Sequence, residues 1–337
     1  MAETRRDGHR LIFIGGSPRS GTTLLQNMLD SHPLILGGPE FLHLPDFIKL
    51  RRKLHYSIGR EWISLFCTRD DVDRYLISLI SKLFLSLAGK YHCEFYSEKT
   101  PDNILVFSEL IELFPEAHFI QVIRDPRAIL ASMQQVKKRA IEKGIKQPDF
   151  VTNTGRGVAY IKRCLDAGFK AHKHAPGKVF TVMYEHLLET PERETKKICN
   201  YLGIEWNDLM LHPGDKEHLG SQALTKKSDE LWYNSKTYKQ NLVISNKEKW
   251  TSELSLGQQL RITMAFMDDR ELMQYGYDFS VASLAPGNRI LLRNFLYCLL
   301  FGRNMYKSLL FAIKKFPGSS LIKKVILAVP SFFSTKG

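Results

Sequence analysis

Short apolar runs alternate with longer amphipathic stretches over the first two thirds of the chain. The runs Leu11–Ile14, His118–Ile123 and Lys178–Met183 are typical of strands that are buried on both faces of a sheet. Over Gly21–Ser31 the apolar residues recur at the spacing of a helix. The pattern therefore predicts strands followed by helices.

Helix-boundary signals support this interpretation. Asp125–Pro126 combines an N-cap residue with proline at the first helical position, and it predicts a helix through about Lys138. Thr190–Pro191 repeats the signal, and Gly203 fits the left-handed residue that ends such a helix. Asp102–Phe114 is a further amphipathic helix. Alternating strands and helices predict an α/β fold with a parallel sheet and right-handed crossovers.

The segment Lys216–Lys249 is polar and lacks strong periodicity. It predicts a long loop region over the edge of the sheet. The sequence contains no visible internal repeat. Its 337 residues are enough for a large core, and the ordinary glycine and proline content excludes collagen-like and low-complexity classes.

The net charge of +13 lies mostly in the last sixty residues. From Phe279 to Gly337 there are nine Lys and Arg and no Asp or Glu, which leaves a charge of +4 on residues 1–278. At 100° per residue, five basic residues share one helical face about 80° wide. They are Arg289, Arg293, Arg303, Lys307 and Lys314. Such a helix is typical either of peripheral contact with an anionic membrane or of a helix packed on the domain.

Composition also bears on nucleic-acid binding, on membrane insertion and on the cellular compartment. Basic and aromatic residues are not interleaved as in nucleic-acid-binding modules, so we expect no nucleic acid as a partner. The five scattered cysteines predict neither a disulfide framework nor a zinc site, and no apolar run approaches the roughly 18 residues of a membrane span. The amino terminus lacks a signal-peptide core, so we expect a cytoplasmic protein, peripheral on the membrane if its tail binds lipid.

Candidate chemistry begins with the loop Gly16–Thr23, which lies between the first predicted strand and helix. A glycine-flanked loop there points backbone N–H groups and the positive end of the helix at one spot, which suits phosphate or sulfate. The ATP-binding loop carries lysine after its second glycine, but here Thr22 takes that place. Arg19 supplies positive charge instead. The alternative is a glycine turn that serves packing alone.

The loop resembles the 5′-phosphosulfate loop of sulfotransferases that use 3′-phosphoadenosine 5′-phosphosulfate (PAPS). Their second signature is an Arg at a strand end and a Ser eight residues later, and Arg124 and Ser132 fit it. A guanidinium and a hydroxyl suit a 3′-phosphate. Without that role, Arg124 would pair with Asp125 or with an acidic residue at the edge of the sheet, and Ser132 would bond a backbone carbonyl. Residues 15–33 are most similar to the tyrosylprotein sulfotransferase branch.

The resemblance assigns two residues to the chemistry besides Arg19. Glu40 falls at the position of that branch's catalytic glutamate, the general base, with His43 and His32 as nearby alternatives. Lys99 matches the family's lysine ahead of a proline-started helix, where it would stabilise the sulfuryl and leaving-group oxygens. The alternative for Glu40 is a solvated loop glutamate. The alternative for Lys99 is a surface lysine that pairs with Glu98.

The resemblance also implies the nucleotide-binding set. Tyr184 matches a tyrosine that contacts the adenine, unless it is only a buried tyrosine with one hydrogen bond. Ser235 and Lys249 match residues that close over PAPS. Together with the loop and the second signature, the set comprises Arg19, Ser20, Gly21, Thr22, Thr23, Arg124, Ser132, Tyr184, Ser235 and Lys249.

The acceptor is less defined. Tyrosylprotein sulfotransferases bind acidic peptides through basic residues after the glutamate, but here Leu42 and Asp46 occupy those places. We expect a hydroxyl on a carbohydrate, a lipid, a small metabolite or a protein tyrosine.

The sequence thus predicts a P-loop-type parallel sheet flanked by helices in a PAPS-binding domain over residues 1–280, and a basic helical extension over residues 281–337. The expected reaction is an in-line sulfuryl transfer from PAPS, with 3′,5′-adenosine bisphosphate as product and no metal requirement. The alternatives are a P-loop kinase-like phosphotransferase and a non-catalytic nucleotide-binding protein peripheral to membranes. A kinase would need an acidic residue to hold Mg²⁺ at a strand end, where Arg124 stands instead.

Overall fold

Five parallel strands form a sheet in the part of the chain that the computed structural model describes, which is residues 7–222, 231–232 and 249–280. The strands are β1 (Leu11–Gly16), β2 (Ile35–Gly37), β3 (Phe95–Lys99), β4 (His118–Ile123) and β5 (Val179–Met183). Their order across the sheet is β2-β3-β1-β4-β5. The central strand β1 pairs with β3 on one side and with β4 on the other.

Helices connect the strands and cover both faces of the sheet. In the unit that contains the sheet they are α1 (Thr22–Asp30), α2 (Leu44–Gly59), α3 (Arg69–Lys90), α4 (Phe107–Leu113), α5 (Pro126–Glu142), α6 (Thr154–His174), α7 (Tyr184–Glu189), α8 (Pro191–Leu202) and α9 (Leu219–Gln222). Single turns of 3₁₀-helix cover Asp7–Arg10, Asp149–Val151, Asp208–Leu211 and Pro213–Asp215, and a longer one covers Pro101–Val106.

The core has two parts because β1 is apolar on both faces. Leu11 and Phe13 pack in one cluster with Phe107 and Phe119, while Ile12 and Ile14 belong to the other with side chains of α1 and α8. The rings of Phe13 and Phe119 stack with their centroids 5.3 Å apart. A strand that is buried on both faces needs a continuous apolar run, and Leu11–Ile14 provides it.

The predicted α/β fold with a parallel sheet is confirmed, with differences in its elements. Strands β2 and β3 were not expected, since β2 has three residues and β3 contains Ser97, Glu98 and Lys99. The predicted helix over Asp102–Phe114 is a 3₁₀ segment followed by α4. Helix α5 extends to Glu142 rather than Lys138.

The chain divides into two compact units, residues 1–247 and 248–337. In the second unit the structure describes α10 (Trp250–Glu253), α11 (Leu256–Phe266) and α12 (Arg270–Gln274). The boundary expected at residue 280 stays a prediction, and the basic tail over 281–337 lies outside the described residues. So does most of the predicted loop region Lys216–Lys249, although α9 forms a short helix within it. None of the described helices is both long and apolar enough to cross a bilayer.

Candidate active site

The predicted site residues of the first unit gather at the carboxyl edge of the parallel sheet. The phosphate loop follows β1, Lys99 ends β3, Arg124 follows β4 and Tyr184 follows β5. The chain passes from β1 to β2 and β3 on one side and then to β4 and β5 on the other. In sheets of this kind ligands bind at the carboxyl ends of the strands, where the strand order reverses.

The loop between β1 and α1 is built to leave donors available. Gly21 is the N-cap of α1 with a φ of 102°, and as glycine it offers no side-chain acceptor to the first N–H groups of the helix. Arg19 also has a positive φ, 75°. The Ser20 hydroxyl is buried and has no hydrogen-bond partner in the structure. Thr22 is buried and Thr23 half-buried at the start of α1. Free N–H groups beside an unsatisfied buried hydroxyl fit a phosphate or sulfate group.

The two predicted phosphate-binding segments contact each other. The Arg19 side chain donates from Nε to the Ser132 hydroxyl at 3.0 Å and from Nη1 to the Trp232 carbonyl at 2.6 Å. Arg124 donates from Nη1 to the Arg19 carbonyl at 3.0 Å. Arg19, Arg124 and Ser132 therefore form one cluster, with two cations close to a helix N-terminus.

Tyr184 completes this cluster. The Arg124 guanidinium lies over its ring, 4.2 Å from the centroid. A Cβ built on Gly21 would lie 2.2 Å from the ring, so the tyrosine packs directly against the loop. Tyr184 is half-buried and also packs against the core cluster that contains Ile12 and Ile14, so its contact with the adenine stays a prediction.

The alternative partner for Arg124 is engaged elsewhere. Asp125 caps α5 by accepting from the Arg127 N–H at 2.8 Å, and its carboxylate also pairs with the Arg127 guanidinium. Arg127 is buried. The Arg124 guanidinium is therefore directed to the phosphate loop rather than to its neighbour in sequence.

Glu40 and Lys99 form an ion pair. The Lys99 side chain is 4% exposed and that of Glu40 25% exposed, so the carboxylate occupies the outer side of the pair. Lys99 lies beside Ile14 in the sheet register, two residues before the loop begins. Lys99 thus pairs with Glu40 and is buried, whereas the alternative expectation was a surface lysine paired with Glu98. A carboxylate and an ammonium group thus lie next to each other beside the loop between β1 and α1.

Glu98 is instead buried under the segment that carries Glu40. Its Oε1 accepts from the Phe41 N–H at 3.1 Å and from the Thr100 hydroxyl at 2.6 Å, while Oε2 accepts from Asn103. Burial raises the pKa of Glu98, although these hydrogen bonds act in the opposite direction. Glu98 therefore holds the backbone next to Glu40, through its hydrogen bond with the Phe41 N–H.

A second carboxyl group, Asp102, lies at the start of the 3₁₀ segment. It accepts from the Tyr160 hydroxyl at 2.6 Å. Burial raises the pKa of Asp102, and the charge of Glu40 adds to the effect. The charge of Glu40 therefore acts on two buried carboxyl groups, Glu98 and Asp102.

Comparison with known proteins gives the same assignment as the motifs. A model of the sulfotransferase family matches residues 11–208, more than half of the chain. The chain belongs to the sulfotransferase family. The predicted resemblance to PAPS-dependent sulfotransferases and to their tyrosylprotein branch is confirmed by curated relatives.

Two of these relatives illustrate the coverage. A putative protein-tyrosine sulfotransferase of Caenorhabditis briggsae is 31% identical over 204 residues, which cover 60% of this chain and 69% of the relative. Protein-tyrosine sulfotransferase 1 of Homo sapiens is 32% identical over 210 residues, covering 60% and 53%. The chain spans about half the length of most of the curated relatives it matches.

Solved structures share the fold of this sulfotransferase. The sulfotransferase domain from the Synechococcus PCC 7002 olefin synthase matches with a TM-score of 0.54 and 19% identity, covering 80% of this chain and 94% of that domain. The sulfotransferase domain from the curacin biosynthetic pathway matches with a TM-score of 0.52 and 18% identity, covering 75% and 95%.

The two histidines considered as alternative bases have other surroundings in the sulfotransferase. His32 accepts from the Leu34 N–H and bonds the Glu205 carbonyl through Nε2 at 2.9 Å, so it fixes the turn after α1. His43 is exposed and pairs with Asp46 at 3.1 Å.

The two late nucleotide residues remain predictions. Ser235 lies outside the described residues. Lys249 belongs to the second unit, where it pairs with Glu253 at 3.1 Å.

Sequence reasoning overlooked the residues that support the site. Glu98 and Thr100 flank the predicted Lys99, and Gln26 of α1 donates to the carbonyls of Gly38 at 2.8 Å and Ser97 at 3.2 Å. The available signal was Ser97–Pro101, where polar residues end a short strand just before a proline. Within the described ranges no group of three metal-binding side chains is arranged around one point, and the absence of a metal requirement stays a prediction.

Proposed function

We propose that this sulfotransferase moves a sulfuryl group from PAPS to a hydroxyl group of an acceptor and releases 3′,5′-adenosine bisphosphate. The acceptor oxygen forms a bond to sulfur as the bond between sulfur and the phosphate oxygen breaks, and the leaving nucleotide keeps the electron pair. The observation that carries the proposal is the contact of Arg19 with Ser132 and Arg124, because it unites both predicted phosphate-binding segments in one cluster.

The nucleotide roles follow from this geometry. Ser20, Gly21, Thr22 and Thr23 would bind the 5′-phosphosulfate, a role supported by the uncapped helix start and the unsatisfied Ser20 hydroxyl. Arg124 and Ser132 would bind the 3′-phosphate, and Tyr184 the adenine. Arg19 stands between the two groups and can serve both.

The acceptor side of the reaction is assigned to the ion pair. Glu40 would take the proton of the acceptor hydroxyl, since its carboxylate is the more exposed member of the pair. The buried Lys99 ammonium would stabilise negative charge on the sulfuryl and leaving oxygens. The pairing keeps the base and the cation within reach of the same reacting centre.

We propose a tyrosine hydroxyl as the first acceptor to test. The curated relatives are protein-tyrosine sulfotransferases, and a phenol, with a pKa of about 10, gives up its proton to a carboxylate more readily than an aliphatic alcohol does. Leu42, which is exposed two residues after Glu40, is apolar. We therefore expect no requirement for acidic residues around the tyrosine.

A transfer assay with ³⁵S-labelled PAPS tests the function. Tyrosyl peptides with acidic and with neutral flanks are compared with carbohydrate and lipid alcohols, in EDTA throughout. We expect label on at least one hydroxyl acceptor without added metal. Absence of transfer to every acceptor class, with PAPS intact, would refute the proposal.

Glu40→Ala tests the base within the same assay. We expect its turnover to fall by about 10²-fold or more, the range of general-base catalysis, while affinity for 3′,5′-adenosine bisphosphate is kept. A large loss of nucleotide affinity would instead make Glu40 a structural residue.

A further inference from the structure

Three consecutive residues, the last two of β3 and the one that follows it, hold three consecutive residues of the segment that carries Glu40. Lys99 pairs with the side chain of Glu40. On either side of Lys99, Glu98 accepts from the Phe41 N–H at 3.1 Å and Thr100 Oγ1 accepts from the Leu42 N–H at 3.3 Å. Contacts in this register fix both the side chain and the backbone of the segment.

The holding groups are also tied to each other. The Thr100 hydroxyl donates to Glu98 Oε1 at 2.6 Å, so the same hydroxyl accepts from the segment and donates to its neighbour. Asn103 donates to the other oxygen of Glu98. Glu98 and Thr100 are 1% and 3% exposed. Because the groups are enclosed and mutually bonded, neither can turn away without leaving a buried polar atom unsatisfied.

The segment contains one residue in an unfavourable backbone conformation. Leu42 has a φ of 65°, in the left-handed region, and such a conformation costs about 1–3 kcal/mol for a residue with a side chain. Nothing in its side chain offsets this cost, because Leu42 is 58% exposed. The hydrogen bonds from Glu98 and Thr100 hold this conformation from one side. The His43 N–H also donates to the Phe41 carbonyl at 2.9 Å, across Leu42.

We infer that Glu98 and Thr100 are positioning residues that fix Glu40 for proton transfer by holding the backbone of residues 41 and 42. The inference rests on the proposed function of Glu40. Both residues are enclosed, so they act through the segment and do not contact the acceptor. Displacing a catalytic group by about 1 Å can cost 10²-fold in rate, so a small shift of this backbone is sufficient to lower turnover.

The test compares Thr100→Val with Thr100→Ser and with a matched control, Thr195→Val. Valine has nearly the shape of threonine but lacks the hydroxyl, while serine keeps it. Thr195 is equally buried, and its hydroxyl bonds Trp206 and the Pro191 carbonyl in α8, away from the site. Full-length protein is used throughout, with the Phe41 and Leu42 amides followed by hydrogen exchange alongside turnover and nucleotide binding.

Thr100→Val is expected to speed exchange of the two amides by about fivefold or more, the equivalent of one lost hydrogen bond. Its kcat should fall by about 10- to 100-fold, while the Kd of 3′,5′-adenosine bisphosphate changes by less than about twofold. Thr100→Ser should restore the wild-type exchange rates and kcat. Thr195→Val should change neither the exchange rates nor kcat. If Thr100→Val does not fold, Glu98→Gln takes its place, with the Phe41 amide as the reporter.

Unchanged exchange at Phe41 and Leu42 would overturn the inference. So would an equal loss of kcat in Thr195→Val, which would mean that any buried hydroxyl matters through stability alone. If the wild-type protein transfers no sulfuryl group, the proposed function fails, and the exchange data still decide whether β3 holds the segment.

Discussion

Gly21 shows how a single residue determines whether the proposed nucleotide site can form. It has a φ of 102°, and the ring of Tyr184 occupies the space where a side chain would begin. The ring in turn lies under Arg124. One glycine therefore allows the loop, the tyrosine and the arginine to meet.

Gly21→Ala should weaken binding of 3′,5′-adenosine bisphosphate by about tenfold or more. The added methyl would lie 2.2 Å from the tyrosine ring, and the left-handed backbone costs alanine about 1–2 kcal/mol. Isothermal titration calorimetry measures the effect. Gly177→Ala is the matched control, since Gly177 also has a positive φ, 80°, but has no atom within 4 Å of an added Cβ. Equal losses in the two variants would assign the effect to backbone strain and contradict the packing argument.

Some of the predicted site residues lie close together in the structure, although their roles stay predictions. Arg19, Arg124 and Ser132 were predicted from two separated motifs, and the structure brings them within hydrogen-bond distance. Glu98 and Thr100 could not be predicted in the same way. Their partners are backbone N–H groups about sixty residues earlier, and such contacts leave no pattern in the sequence.

At the level of elements, the strands and helices that were predicted are those with local signals. Strand β1 begins with a continuous apolar run, β4 is apolar apart from His118 and Gln121, and α5 starts with a capping aspartate and proline. Strand β3 escaped prediction because Ser97, Glu98 and Lys99 are polar yet buried. Their burial follows from tertiary contacts with the segment after β2, which the local pattern does not contain.

Helix α3 carries a capping box whose strength depends on pH. Thr68 accepts from the Asp71 N–H at 3.2 Å, and Asp71 accepts from the Thr68 N–H at 2.9 Å. The Thr68 N–H and hydroxyl, together with Arg74, lower the pKa of Asp71 to about 2. A carboxyl group with a lowered pKa stabilises the fold above the pKa of the unfolded chain, and this contribution is lost as the pH falls toward the folded value.

We therefore expect Asp71→Asn to lower the thermal unfolding midpoint at pH 7, and the difference from wild type to shrink by pH 3. Circular dichroism at both pH values measures it. Asp70→Asn is the neighbouring control, because Asp70 lies in the same first turn but does not take part in the capping box. A difference that stays constant with pH would show that the ionised carboxylate adds nothing to the cap.

On the scale of the whole molecule, charge is distributed unevenly. Residues 279–337 carry nine basic and no acidic side chains, whereas the family match ends at residue 208. The catalytic proposal thus concerns the first unit, and the tail is a separate question. We propose that the tail binds anionic membrane surfaces through its predicted basic face.

Replacing Arg289, Arg293 and Arg303 by Glu in the full-length protein tests this proposal. Wild type should sediment with vesicles that contain phosphatidylserine and much less with neutral vesicles, and the variant should lose the difference. Raising the salt concentration should weaken binding, because surface charges are screened. Equal sedimentation of wild type and variant would contradict a role for this face.

The central claim is that one cluster binds both phosphate groups of the nucleotide without a metal ion. The most direct measurement is a calorimetric titration of the full-length protein with 3′,5′-adenosine bisphosphate in EDTA, beside ATP with and without Mg²⁺. We predict binding of the bisphosphate in EDTA at least about tenfold tighter than that of ATP under either condition, since only the bisphosphate presents a 3′-phosphate to Arg124 and Ser132. Preference for ATP with Mg²⁺ would contradict the account and favour a kinase-like phosphotransferase.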